Sequence, residues 1–232
     1  MSTNVKPSDL NYDNYDNAVY DEDIRRSIPF YNELHEKIES ELREIFKTRE
    51  SVQKILELGI GTGLTAEKIL DLLPKAQLVG IDFSEQMLNG AKKRLQNRHA
   101  NFVLGDYAET EFKNGQDMVI SVIGLHHQND EGKKRLFNKI HSALRPGGIF
   151  VLGDLMTFKD KKKTAKNDAL HFHHLVENAR NQNALEEWSY HHKYLNDPSA
   201  VEDQIEWLKE SGFSEVVVKF EQINTVLIIA VK

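Results

Sequence analysis

The residues of this chain able to do chemistry are carboxylates, glycines and imidazoles, and their spacing groups them. The stretch "ILELGIGTGLTAEKIL" (55–70) sets Glu57 ahead of Gly59, Gly61 and Gly63, after which the pattern turns helical. A glycine-rich turn between a strand and a helix lets the backbone approach a ligand that side chains would block. Two more acids, Asp82 and Asp106, end later apolar runs. A carboxylate accepts hydrogen bonds and cannot donate them, so this set suits a ligand presenting hydroxyls or amines. The ten histidines supply the rest: His126 and His127 in "VIGLHHQ", His171, His173 and His174 in "LHFHH", and His191 and His192 after Tyr190. Imidazole serves as a base near neutral pH or as a metal ligand. His126 is the leading general-base candidate and Asp154 the second. His127, His171 and His174 are candidate substrate contacts. His171 and His174 lie one helical turn apart and could share a metal with His191 or His192; lining a polar substrate cap is the commoner use of such residues, and no metal is expected.

These groups need a scaffold, and the chain between residues 52 and 155 supplies an alternating one. "VQKILELG", "AQLVGID", "NFVLGD", "DMVISVIG" and "IFVLGDL" have strand composition, with helical patterns between them, as a parallel α/β sheet requires. Ser84 is placed to cap "EQMLNGAKKRL", and Pro146 with two glycines ends the helix that begins at "DEGKKRL". Upstream, Tyr31, Leu34, Ile38, Leu42 and Ile45 form one stripe of a helix over 29–46, with Pro29 at its first position. The segment "NYDNYDNAVYDED" before it is too polar for core and is expected to be a lid. "KDKKK" (159–163) has the composition of a solvated loop, and a histidine-rich helical insertion follows. A last helix and the runs "SEVVVKF" and "NTVLIIAVK" close the chain. The expected organisation is one domain: an arm and lid helix (1–50), a core (51–158), a helical cap (159–197) and a closing helix with strands (198–232).

Composition narrows the partners. At 232 residues with 40% hydrophobic content the chain can bury one sizeable core. It has no cysteine, which removes disulfides, thiolate zinc sites and a cysteine nucleophile. A formal charge of −6 argues against a general nucleic-acid binder and towards small molecules. No apolar run nears the roughly 18–20 residues of a membrane span, and "MSTNVKPSDL" has no apolar signal core. A cytoplasmic enzyme without membrane attachment is the expectation.

On the glycine loop alone, two ligand classes remain open. Gly61, Gly63 and Ala66 fit the G-x-G-x-x-A form of the dinucleotide fingerprint, with Asp82 about 20 residues on for the ribose. The alternative is S-adenosylmethionine. Taken together, "ELGIGTG", "GIDFSEQML", "FVLGDY" and "LRPGGIF" resemble the class I S-adenosylmethionine-dependent methyltransferases. The resemblance implies a Rossmann-like, doubly wound seven-stranded sheet, parallel except for its last strand. It implies that the loop of Gly59, Ile60, Gly61 and Gly63 receives the methionine and ribose portion of the cofactor, with Glu57 at its edge. It assigns Asp82 to the ribose hydroxyls, Phe83 to the adenine face, Asp106 to the adenine amine with Tyr107 beside it, and Met87 to the same pocket. The flanks "IRRSIPFY" and "KESGFSEVVVKFEQINTVLIIAVK" resemble the carboxy-S-adenosylmethionine synthases of the tRNA wobble-uridine pathway. That resemblance adds Tyr31, and Val122 where those proteins have asparagine. It departs from them in having no arginine after Arg180 to hold the extra carboxylate. The expected activity is therefore ordinary methyl transfer to a small-molecule acceptor. Carboxy-cofactor synthesis is the alternative, and a catalytically silent cofactor-binding regulatory subunit is the alternative of another class. A homodimer is compatible with the resemblance.

Overall fold

A computed structural model describes residues 7–10, 12–14, 16–47 and 53–232. Val52, placed above at the start of the first strand, and Tyr15 of the arm lie outside the described residues. Seven strands form one sheet in the order β3-β2-β1-β4-β5-β7-β6: β1 (Lys54–Leu58), β2 (Gln77–Asp82), β3 (Ala100–Leu104), β4 (Gln116–Val122), β5 (Leu144–Leu155), β6 (Glu215–Gln222) and β7 (Thr225–Val231). All neighbouring pairs from β3 to β5 are parallel, and β7 runs antiparallel to both β5 and β6. The helices in chain order are α1 (Pro7–Leu10), α2 (Asn17–Ser27), α3 (Tyr31–Lys47), α4 (Leu64–Leu72), α5 (Glu85–Arg94), α6 (Asp130–Ala143), α7 (Lys161–Asn178), α8 (Gln182–Tyr190) and α9 (Val201–Glu210).

Both sheet faces are covered, and strict alternation along each strand divides the core in two. Ile55, Leu78, Met118, Ile120 and Val151 point to the side packed by α3, α4 and α5 through Leu34, Ile38, Leu42, Ile69 and Leu88. Leu56, Ile81, Val119, Phe150 and Ile228 point to the other, covered by α6 and α9 through Leu136, Phe137, Ile140 and Leu208. A strand buried on both faces loses the polar alternation that would mark it from sequence. Ser84 caps α5 as expected, accepting from the Met87 amide at 3.1 Å.

Three boundaries differ from the sequence expectations. "KDKKK" is a helix start and no loop: Asp160 accepts from the amides of Lys162 and Lys163, and α7 begins at Lys161. β5 begins at Leu144 and runs through Pro146 and both glycines. Pro29 lies outside α3, which starts at Tyr31 after Phe30 in a left-handed turn with φ 56°. The polar arm is helical over 17–27, with Asp16 capping it through the amides of Ala18 and Val19. Among the described residues no helix is long and apolar enough to cross a membrane.

The chain's path reverses between β1 and β4, the topological switch point where ligands bind outside the carboxyl ends of the strands. α2, α7 and α8 close over that end. A buried lysine fixes the returning strand of the cap: Lys133 on α6, 1% exposed, donates to the Asp197 carbonyl at 2.5 Å and the Ser199 hydroxyl at 2.7 Å.

Candidate functional site

A cleft at the switch point is lined by Gly59 and Gly61 of the first loop, Asp82, Phe83 and Met87 after β2, Asp106 and Tyr107 after β3, and the lid residues Leu10, Tyr12 and Tyr20. The loop is possible because Gly59, Gly61 and Gly63 all have positive φ (70°, 55° and 83°), a conformation that costs other residues about 1 kcal/mol or more. Asp82 closes the floor by accepting from the Gly61 amide at 2.8 Å and the Ser84 amide at 2.9 Å. Its two oxygens have lone pairs to spare beyond those bonds. Burial pushes the Asp82 carboxyl up, against the pull of those amides. Glu57 is 2% exposed, and one of its oxygens has no hydrogen-bond partner; burial, reinforced by the nearby Asp82 charge, raises its carboxyl well above the usual range. A buried acid with an unpartnered oxygen can accept a donor from a ligand or from water.

These features fit the adenosyl cofactor: a glycine cradle, acceptors for a diol and an amine, and aromatic rings for a base. The lid lies closed over the cleft. Tyr12 lies 5.9 Å from the Phe83 ring and 5.8 Å from Tyr20, and the residual cavity is about 50 Å³.

Four of the expected cofactor contacts do not line this cleft. Ile60 is buried in the core, its side chain filling the space over Gly80. Gly63 packs against Ala91, so its role is close helix approach. Tyr31 is buried with its ring 4.3 Å from His35, beneath the lid and off the cleft. Val122 packs into the core, and its neighbour Ile123 lines the cleft instead. Ile123 has φ 52°, strained for a β-branched residue, and its amide is held by the Gly153 carbonyl at 2.7 Å. Such a turn re-aims a side chain at the strand end.

Beyond Ile123 the cleft opens into a second chamber of about 100 Å³, bounded by Tyr20, Asp23 and Ile24 of α2, His171 and Leu175 of α7, Trp188, His191, His192, Asn196 and His126. His126 and Asp154, expected as separate bases, form one unit: Asp154 accepts the His126 amide at 2.9 Å and the ring Nδ1 at 2.5 Å. A carboxylate that takes Nδ1–H fixes the tautomer and leaves Nε2 with its lone pair. Asp154 thereby becomes a positioning residue, buried behind the imidazole. His127 donates from Nδ1 to the Leu195 carbonyl at 2.8 Å and faces the cofactor cleft, with Tyr12 Oη 3.4 Å from its Nε2. Burial pushes His127 well below its ordinary range, takes His171 to about 3 and His191 to about 4, so all three are neutral at pH 7.

His171 lines the chamber and His174 does not. His171 is held between the Ser27 carbonyl and Asn224 and packs at a tilt against His192 with ring centroids 4.2 Å apart, whereas His174 is directed to Asn178 at 3.3 Å. His171 and His174, one helical turn apart, thus face different partners. Sequence reasoning missed Ile123, Trp188 and Lys133, and it expected Tyr12, Tyr20 and Asp23 only as part of a lid segment. Lys133 carried a signal, since it occupies the stripe of Leu136, Phe137 and Ile140.

Residues 55–148 match the family described as a methyltransferase domain. Over nearly the whole chain it is similar to proteins named carboxy-S-adenosyl-L-methionine synthase: 26% identical to that of Shewanella piezotolerans, covering 97% of this chain and 93% of the relative, and 28% identical to that of Actinobacillus succinogenes, covering 98% and 95%. Among solved structures, it resembles an O-methyltransferase family 2 protein from Planctomyces limnophilus (TM-score 0.61, 18% identity, 80% of this chain and 51% of that one). It also resembles phosphoethanolamine N-methyltransferase 2 of Haemonchus contortus, solved with S-adenosyl-L-methionine (TM-score 0.59, 19% identity, 84% and 52%). The chain spans about half the length of these two structures, and at such identities they speak for the fold.

Proposed function

We propose that this chain, an enzyme carrying an S-adenosylmethionine-dependent methyltransferase domain, methylates a small polar acceptor without carboxylates, held in the chamber between α2, α7 and α8. The cofactor, when bound, supplies an activated methyl group on a positively charged sulfur. Gly59 and Gly61 would receive it with their backbone, Asp82 and Asp106 would accept from its hydroxyls and amine, and Phe83 would face its base. What the protein adds is placement and exclusion of water, which for group transfer between bound partners is worth several kcal/mol. Tyr12, Tyr20 and Ile123 separate the two cavities, so the acceptor's heteroatom meets Ile123 and His126. Asp154 keeps the His126 Nε2 lone pair available, so the heteroatom's proton, or a Lewis acid in its stead, has one defined place.

The chamber's charge carries the choice of acceptor. Among the described residues no lysine or arginine lines it, while Asp23 and Glu187 do, and Arg180, the last arginine in the chain, is paired to Asp23 at 2.8 Å. Buried oxygens of Asp23 and Asn196 lack partners, so they favour an acceptor bringing donors. A carboxylated ligand would meet acids with no cationic fork, a mismatch costing several kcal/mol. The full-length similarity to carboxy-cofactor synthases supports the second reading, in which the chain makes a carboxylated cofactor. Mass spectrometry of the small molecule released from purified protein decides between them. S-adenosylmethionine or S-adenosylhomocysteine is expected; a carboxylated cofactor, or its formation when prephenate is supplied, would overturn the methyl-transfer reading.

A further inference from the structure

Three imidazoles converge where the cleft meets the chamber. One ring nitrogen from each of His126, His127 and His191 lies within 4.8 Å of those of the other two. The rings are close as well: His126 and His127 are 4.1 Å apart, and His191 meets His127 edge-on at 5.2 Å. Nδ1 of His126 is engaged by Asp154 and Nδ1 of His127 by the Leu195 carbonyl, so Nε2 is the atom each has left to offer. A carboxylate behind one imidazole and a backbone carbonyl behind another are the partners that metal-ligating histidines use to fix tautomer and aim.

We propose that His126, His127 and His191 form a three-imidazole site for a divalent transition-metal ion, with zinc as the first candidate, whose open fourth position receives the acceptor.

Several observations bear on it independently. The ligand type suits zinc and its neighbours in the first transition row and does not suit magnesium or calcium, which take oxygen. Three histidines with one position open is a zinc arrangement that leaves room for a reacting oxygen. Zinc–nitrogen bonds of about 2.0–2.1 Å place ligand nitrogens roughly 3.3 Å apart, so from separations within 4.8 Å the rings must draw together by up to about 1.5 Å. His191 can supply that movement, because it opens a π-helical turn (His191–Leu195), a distortion that recurs at functional sites. The turn is tied to the other two histidines: the Leu195 carbonyl receives His127, the Asp197 amide donates to the His126 carbonyl at 2.7 Å, and Lys133 holds the Asp197 carbonyl. Tyr12, 3.4 Å from His127 Nε2, would yield its place to the ion.

The consequence for the reaction rests on the methyltransferase reading; the metal site itself does not. A cation at this point would bind an acceptor hydroxyl and lower its pKa, as bound zinc does for water, releasing the proton to solvent. His126 would then act as a ligand in place of proton acceptor. This reverses the expectation of a metal-free site.

The test uses full-length, tag-free protein stripped with a chelator, titrated with Zn²⁺ against a chromophoric competitor and with Co²⁺ followed by visible absorption. One equivalent with an intense tetrahedral Co²⁺ spectrum is expected, weakened at least tenfold in His191→Ala and in Asp154→Asn, and unchanged in His173→Ala, whose imidazole is exposed on α7. Absence of binding by the parent protein, an octahedral spectrum, or equal affinity in His191→Ala would overturn the proposal. S-adenosylhomocysteine affinity measured on the same samples reports folding of each variant. Its absence in the parent protein would sink the methyltransferase reading while leaving the metal result to stand.

Discussion

At the scale of single residues, Asp82 combines two duties. It ties the glycine loop to α5 through the amides of Gly61 and Ser84, and it offers remaining lone pairs to the cleft. Replacing it with alanine removes a charged acceptor worth roughly 1.5–3 kcal/mol. The expected result is a fall of about ten- to hundredfold in S-adenosylhomocysteine affinity by calorimetry. Asp82→Asn keeps one acceptor and one loop contact and should lose less; unchanged affinity in both variants would refute the assignment. His126 shows how a neighbour changes a residue's chemistry. As a lone imidazole it could titrate, stack or bond either way, and Asp154 behind it leaves one nitrogen for whatever enters the chamber.

Among elements, α2 is the one whose position decides access. It has few apolar side chains of its own, and Asp21 binds it to α5 by pairing with Arg94 and to the first loop by accepting from the Thr62 hydroxyl. Tyr12 and Tyr20 lie over the loop and line the cleft, so α2 is expected to shift when a cofactor enters. Limited proteolysis should therefore cut near residues 11–28 in the free protein and be slowed several-fold by S-adenosylhomocysteine. Cleavage that ligand does not alter would mean the lid plays no part in binding. The cap is held differently, by the Asp197 amide donating to the His126 carbonyl, the Leu195 carbonyl accepting from the His127 ring, and Lys133 in its floor, so it should remain protected in both states. A lysine buried among apolar residues is tolerated because carbonyl and hydroxyl oxygens replace its water.

At the scale of the whole molecule, buried neutral histidines couple stability to acid. Burial lowers His35 and His191 to about 4 and His171 to about 3, against about 6.5 in the unfolded chain. The unfolded state therefore binds more protons below pH 6.5, and stability, complete above that pH, is lost as pH falls from 6.5 towards 4. Each such group contributes up to about 1.4 kcal/mol per pH unit in that window, so Tm should drop steeply between pH 6.5 and 5. His171→Gln should flatten the decline, and a Tm constant across that range would show that these imidazoles are charged in the folded state.

What the sequence by itself determined is the order of strands and helices, the glycine loop, and the acids at successive strand ends. Each of these rests on local rules: periodicity, the steric freedom of glycine, and the alternation that puts the ends of parallel strands on one edge. Only the tertiary structure decided which residues face one another across that edge. Val122 and Ile123 are equivalent in composition, and a left-handed turn chooses Ile123. His171 and His174 share a helical spacing, yet different neighbours separate them. Asp154 is 28 positions from His126, and His191 is a further 37 beyond Asp154. They meet only because β4 and β5 pair in parallel and the cap returns over their ends. Contacts between residues so distant leave no period in the chain, because their spacing is set by the folded path and not by any local geometry.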